Sequence, residues 1–250
     1  MKLTAISFEN LLATAIRLPG VKVDREKFLF SELKKYCNKE QIALAVEHNP
    51  AFAKIDVTII NKIAQNCINH ETTNVTAIST IAGIPGGLAV VGTIPADLLQ
   101  YFAHICIILQ KLIYLYGWAE LFEEDNLDDE SKNLIILFAG VMFGISYANS
   151  AIAKLAEAAS SKIAGKVAQQ AFMKSTIQPI TKRIMPAIMT KFIGNTAPKM
   201  PAKAIPLVGG AVSGGLTYFT FKPMAVKLRK YLSTLQLCDV NFYANASTSL

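Results

Sequence analysis

The chain predicts an all-α fold, a multi-helix bundle interrupted by Gly/Pro-rich apolar hairpins. Apolar residues recur at steps of three and four, while strand-like alternation is hard to find. Hydrophobic residues make up 52% of the 250 residues and charged ones 17%, against about 45–50% and about 25% in ordinary soluble domains. Residues 72–96, 133–153 and 204–221 carry no charge over 25, 21 and 18 positions. Such a chain must bury, or place in lipid, more apolar surface than is usual for its size.

Residues 3–18 predict a short amphipathic helix with Ile6, Leu11, Leu12, Ala15 and Leu18 on one side, stopped by Pro19-Gly20. Asp24 opens a second helix, acids early and lysines late, as the helix dipole prefers. Asn38 caps a third, which ends before Pro50. A fourth spans residues 56–70, with Val57, Ile60, Ile63, Ala64, Cys67 and Ile68 at helical spacing. Residues 1–71 therefore read as an N-terminal helical subdomain.

The stretch 72–118 organises the rest. Gly83, Pro85, Gly86, Gly87, Gly92 and Pro95 punctuate aliphatics and predict an apolar hairpin, since glycine takes positive φ at little cost. Thr93 is the expected N-cap of a helix from Ile94 to Tyr116, closed by Gly117. Asp97, Gln100, His104 and Lys111 form one polar stripe on it. A solvent-facing or inter-helix seam is the plain reading, and a polar track lining a cavity the sharper one.

Residues 120–130 hold seven acids and no base, a solvated linker that also starts the next helix. Residues 133–153 have the length to cross a bilayer, which takes about 20 residues. Gly140 and Gly144 there have small-xxx-small spacing; the polar Ser146, Tyr147, Asn149 and Ser150 keep a core helix as a serious competitor. Lys154–Ser175 reads as an Ala-rich helix with Lys162, Lys166 and Lys174 on one broad face, suited to a membrane surface or to the outside of a bundle. Proline-broken, basic residues 176–206 include Lys182 and Arg183. The uncharged run 204–221, with Gly209, Gly210, Gly214 and Gly215, predicts a second apolar hairpin. A basic helix with Lys227, Arg229 and Lys230 follows, closing an apolar core of residues 72–235. Residues 236–250 read as a flexible tail.

The net charge of +7 is unevenly placed: residues 1–119 hold 11 basic and 9 acidic side chains, and residues 131–250 hold 14 basic and two acidic ones. Anionic head groups attract such a half by about 1 kcal/mol per nearby Lys or Arg. Nucleic acid is not expected as a partner, because the basic residues lack interleaved aromatic platforms and a DNA-reading motif. The N-terminus has no apolar core of secretory-signal length. Cys37, Cys67, Cys106 and Cys238 lack paired spacing and read as free thiols of a reducing cytoplasm.

No catalytic, metal or cofactor site is expected. Gly87-x-x-x-x-Gly92-Thr93 imitates a phosphate loop but lacks its lysine. Gly144-Ile145-Ser146-Tyr147-Ala148 misses the second glycine of a nucleophile elbow. His48, His70 and His104 have no metal-ligand spacing.

The run IAGIPGGLAVVGTIPADLLQYFAHICIILQKLIYLYGW, followed by acids, resembles the central motif of EcsC-family proteins. IPLVGGAVSGGLTYF resembles their C-terminal Pro-x-x-Gly-Gly segment. Together they cover residues 75–232, with Thr217 departing from the family's Asn. The resemblance implies a bacterial, cytoplasmic or membrane-associated helical protein, linked through the founding member to an ABC-transporter operon. It places Pro85, Gly86, Gly87, Pro95, Asp97, Tyr116, Gly117, Gly209 and Gly210 at motif positions, with no established catalytic residue.

The leading expectation is thus a non-enzymatic protein bound to anionic membrane lipid at the inner face of the cell membrane, beside a membrane-protein partner such as a transporter. Its rivals are a soluble helical module enclosing a lipid or other apolar ligand, and a glycine-zipper pore-former built on Gly140/Gly144 and Gly210/Gly214. An enzyme comes last and needs a polar pocket around Asp97 and His104.

Overall fold

In the computed structural model, which describes residues 8–82, 90–91, 94–121, 128–160, 173–196 and 206–247, helices follow one another with little other regular structure. This is the all-α bundle that the periodicity predicts. Helix α1 (Phe8–Ile16) buries Leu11, Leu12 and Ala15; Ile6 lies outside the described residues. In α2 (Arg25–Leu33), Asp24 accepts from the Lys27 amide. In α3 (Lys39–Glu47), Asn38 and Gln41 form a reciprocal capping box. Both caps satisfy amides that a helix start leaves without partners.

Helix α4 (Val57–Ala82) is longer than its sequence reading and runs without a break through positions 71 and 72, the expected subdomain boundary. The N-terminal helices share one hydrophobic core with the rest, α1 packing on α5 (Ala96–Leu115) with Phe8 edge-on to Phe102 at 5.7 Å. Between α4 and α5, Val90–Val91 (β1) and Ile94–Pro95 (β2) pair antiparallel, Val90 opposite Pro95. Ile94 and Pro95 therefore belong to this small ladder, and α5 starts two residues later than its sequence suggests. Gly83, Pro85, Gly86, Gly87 and Gly92 lie outside the described residues.

The C-terminus of α5 closes as expected. Gly117 has φ +94, the Trp118 amide donates to Ile113 O at 3.0 Å and the Gly117 amide to Tyr114 O at 3.4 Å. This is the paired bond pattern of a Schellman cap.

The same device overturns the bilayer-length helix expected over 133–153. α6 (Asp129–Met142) ends at Gly144, φ +70, with Ile145 donating to Gly140 O and Gly144 to Val141 O, both at 2.9 Å. α7 (Ser146–Ser160) then starts afresh. Fourteen residues of α6 span about 21 Å, short of the hydrocarbon core of about 30 Å. Gly140 is a true close-approach site, since a Cβ there would lie 2.9 Å from Ala148 Cβ and 3.1 Å from Ile184 Cγ2. Gly144 is a cap. The two glycines share a spacing but not a role.

A π-helical turn, Met173–Ile177, leads into α8 (Gln178–Thr196). The second expected hairpin is instead one continuous helix, α9 (Pro206–Leu232), with Gly209, Gly210, Gly214 and Gly215 inside it. Each helical glycine costs up to about 1 kcal/mol against alanine. Two features offset that cost. Pro206 suits a first helical turn, and the second half buries Phe221, Ala225, Leu228 and Leu232 at helical spacing. Helix α9 packs along α4, and also on α5 and α6.

The expected flexible tail is ordered as far as Ser247. Gln236–Cys238 forms a 3-10 turn and Val240–Ser247 forms α10. Asn49 Nδ2 donates to the Tyr243 hydroxyl at 3.0 Å, and Phe52 meets Tyr243 edge-on. The turn packs so closely on Gly117 that a Cβ there would lie 2.7 Å from Leu237 O.

Candidate functional site

The expected polar stripe of α5 resolves into a buried cluster. Glu71 of α4, 3% exposed, accepts from Lys111 Nζ at 2.6 Å, and His104 Nδ1 lies 2.9 Å from its other carboxylate oxygen. The spacing is that of antiparallel helices, since Tyr116 near the far end of α5 donates to Asn61 of α4 at 2.6 Å. Burial opposes ionisation of Glu71, but the bonds from His104 and Lys111 outweigh it and hold its carboxyl below the ordinary glutamate range. His104 is 7% exposed, and no described group bonds to its Nε2. A carboxylate-oriented imidazole is half of a general-base arrangement. With no hydroxyl or thiol in bonding reach of Nε2 among the described residues, the cluster ties α4 to α5. Gln100 is half-buried, and the Asp97 side chain lies outside the described ones.

Two further buried polar groups are ties of the same kind. Gln110 accepts from the Val23 amide and donates to Val21 O. Arg25 donates to Val46 O and His48 O, capping the last turn of α3, and to Trp118 O. Glu120, read in sequence as part of a solvated linker, accepts from the Tyr114 hydroxyl and the Arg25 amide.

The expected basic surface divides. Lys162 and Lys166 lie outside the described residues, as does the side chain of Lys174. Lys227 brings its Nζ beside Gly144, where Lys191 donates to Phe143 O and Gly144 O. Both cations thus sit at the negative end of the α6 dipole. Arg229 is half-buried, whereas Lys230 is exposed. Lys182 and Arg183 are exposed on α8 and border a groove against α7 of about 760 Å³. Tyr147, Ser150 and Lys154 of α7 face them, on one side of that helix by their spacing. The Tyr147 hydroxyl donates to Arg183 O at 3.0 Å and pins the two helices.

On α9 the apolar half meets the basic half at an exposed aromatic pair that sequence reading did not single out. Phe219 is 75% exposed and Tyr218 42%. Lys222 Nζ lies 5.3 Å from the centre of the Tyr218 ring and 3.3 Å from its hydroxyl.

Leu98–Leu115 is the one stretch among the described residues long and apolar enough to cross a bilayer, and 83% of it is buried within the protein. Among the described residues no group of three His, Cys, Asp or Glu side chains is placed to hold a metal ion. No protein-family model, curated protein or solved structure matches the chain.

Proposed function

We propose that the protein is a non-enzymatic, membrane-associated helical protein that binds anionic lipid at the cytoplasmic face, in the manner implied by its resemblance to EcsC proteins. One observation carries the reading: the Tyr218–Phe219 pair stands in solvent where the uncharged first half of α9 gives way to Lys222, Lys227, Arg229 and Lys230. Aromatic side chains with lysines beside them are the composition of a membrane–water interface. Burying an exposed phenylalanine in the interface favours binding by about 1.5–3 kcal/mol, and each nearby cation adds about 1 kcal/mol on anionic lipid. A transporter at the same membrane is the partner class that the resemblance suggests.

The test is flotation of the purified protein with neutral and with anionic liposomes. It should rise with the anionic ones, and Phe219→Ser combined with Tyr218→Ser should leave it in the bottom fraction while its helical circular dichroism persists. Wild-type protein that stays at the bottom with both lipids removes the proposal.

A further inference from the structure

We infer that the groove between α7 and α8 is a site for the phosphomonoester head group of a lipid of the phosphatidic acid kind. The inference names the lipid class within the membrane reading above. Lys154, Lys182 and Arg183 border the groove, and none of their side chains has a hydrogen bond or ion pair with another described residue, although the Arg183 carbonyl accepts from Tyr147. No carboxylate lines it among the described residues. Three cations that share a groove with no carboxylate among its described lining repel one another, an arrangement that an anion relieves. A phosphomonoester carries a charge of about −1.5 to −2 near neutral pH, whereas a phosphodiester carries only about −1. The monoester therefore neutralises more of the cluster.

The donors match as well. The Arg183 guanidinium presents a planar fork suited to phosphate oxygens, and Lys154 and Lys182 act as point charges from opposite walls. Apart from Ser150, the remaining lining is largely apolar: Tyr147, Ala151, Ile180 and Pro186. A free phosphate leaves that wall unused, whereas the glycerol and first acyl carbons of a lipid cover it. The volume, about 760 Å³, falls within the range of about 300–1,000 Å³ usual for small-molecule sites. The occupant is thus an amphiphile with a doubly charged head.

The experiment uses the full chain and separates the groove from the membrane. Titration calorimetry with dihexanoyl phosphatidic acid below its critical micelle concentration should show saturable binding. Dihexanoyl phosphatidylglycerol, with a diester head, should bind at least about tenfold more weakly. Lys182→Gln/Arg183→Gln removes two of the three charges, and should weaken the phosphatidic acid by about tenfold or more. These side chains are exposed, so melting should be unchanged. Lys34→Gln/Lys35→Gln, which changes the net charge equally at exposed positions in the turn after α2, should bind as wild type. Equal affinity for the two lipids, or equal loss in both double variants, overturns the inference. So does inorganic phosphate competing as well as the lipid, because the apolar wall then contributes nothing. Flotation of the same variants reads the membrane proposal separately: protein that binds the soluble lipid and ignores liposomes refutes that proposal alone, and protein that floats without head-group preference refutes the groove alone.

Discussion

Replacing Glu71 by alanine should cost the protein about 3 kcal/mol. The side chain accepts two charge-assisted bonds, at 2.6 and 2.9 Å, inside the α4–α5 contact. Breaking a buried pair by removing one partner costs about 3–5 kcal/mol. Lys111 keeps 21% of its side chain exposed and can turn toward water, so the lower end applies. His104 has no such exit, because the substitution leaves both ring nitrogens without a partner. For a chain of this size each kcal/mol lowers Tm by about 2–4 °C, giving a drop of about 6–12 °C by calorimetry or circular dichroism at neutral pH. The sign with pH follows from the depressed carboxyl. Its contribution is full above the ordinary glutamate range and is lost as pH falls through the lower, folded-state value. The gap between wild type and Glu71→Ala should therefore be widest near pH 7 and narrow on acidification toward pH 3. A shift below about 2 °C at neutral pH, or a gap that does not narrow in acid, would refute the reasoning.

Three further outcomes follow from the packing. Gly117→Ala combines a positive φ with a Cβ 2.7 Å from Leu237 O, a backbone atom that cannot step aside; it should destabilise by about 2 kcal/mol or more and speed amide exchange in α10. Gly140→Ala meets Ala148 Cβ at 2.9 Å and Ile184 Cγ2 at 3.1 Å, so overpacking of about 1–3 kcal/mol should outweigh the gain in helix propensity, read as a lower Tm. Burial pushes the thiols of Cys67 and Cys106 up to about 12 and that of Cys238 to about 11; in native protein at pH 8 an aromatic disulfide reagent should modify the half-buried Cys37 first, and the other three only on unfolding.

Local chemistry was legible in the sequence. Asp24, Asn38 and Gly117 act through groups within a few residues of themselves, so their roles can be read from neighbours. What was not legible depends on partners far along the chain. Gly144 looks like a tolerated glycine inside an apolar helix until Ile145 bonds back to Gly140 and the next helix turns away. The glycines of α9 look like a hairpin because their cost is local, while the buried stripe of Phe221, Ala225, Leu228 and Leu232 that holds the helix lies in its later turns. Tyr243 looked like part of a tail because Asn49 and Phe52, which hold it, are far away in sequence. For Glu71 a signal was present. It continues the spacing of Ile60, Ala64 and Cys67 on the buried face of α4. A carboxylate there needs a cation from a facing helix, and the stripe of α5 held two candidates.

The fold also bears on how lipid contact would be made under the proposed function. The apolar excess that suggests a bilayer is largely consumed inside: α5 is enclosed by α1, α4 and α9, and the second long apolar run is cut by the cap at Gly144 into pieces too short to span. Besides the lone exposed Phe30 of α2, the described surface offers lipid an aromatic pair on α9 and a cationic groove between α7 and α8. Contacts of that size suit a protein resting at the head-group level. There, aromatic burial and charge attraction each contribute a few kcal/mol and binding is reversible. Two weak contacts reinforce each other where both reach the same membrane, because engaging the first holds the second near its target at high effective concentration. On this reasoning the ordered core serves to fix the separation between the two contacts. The interhelix ties at Glu71 and Gly140 then matter to membrane binding through geometry, without touching lipid themselves.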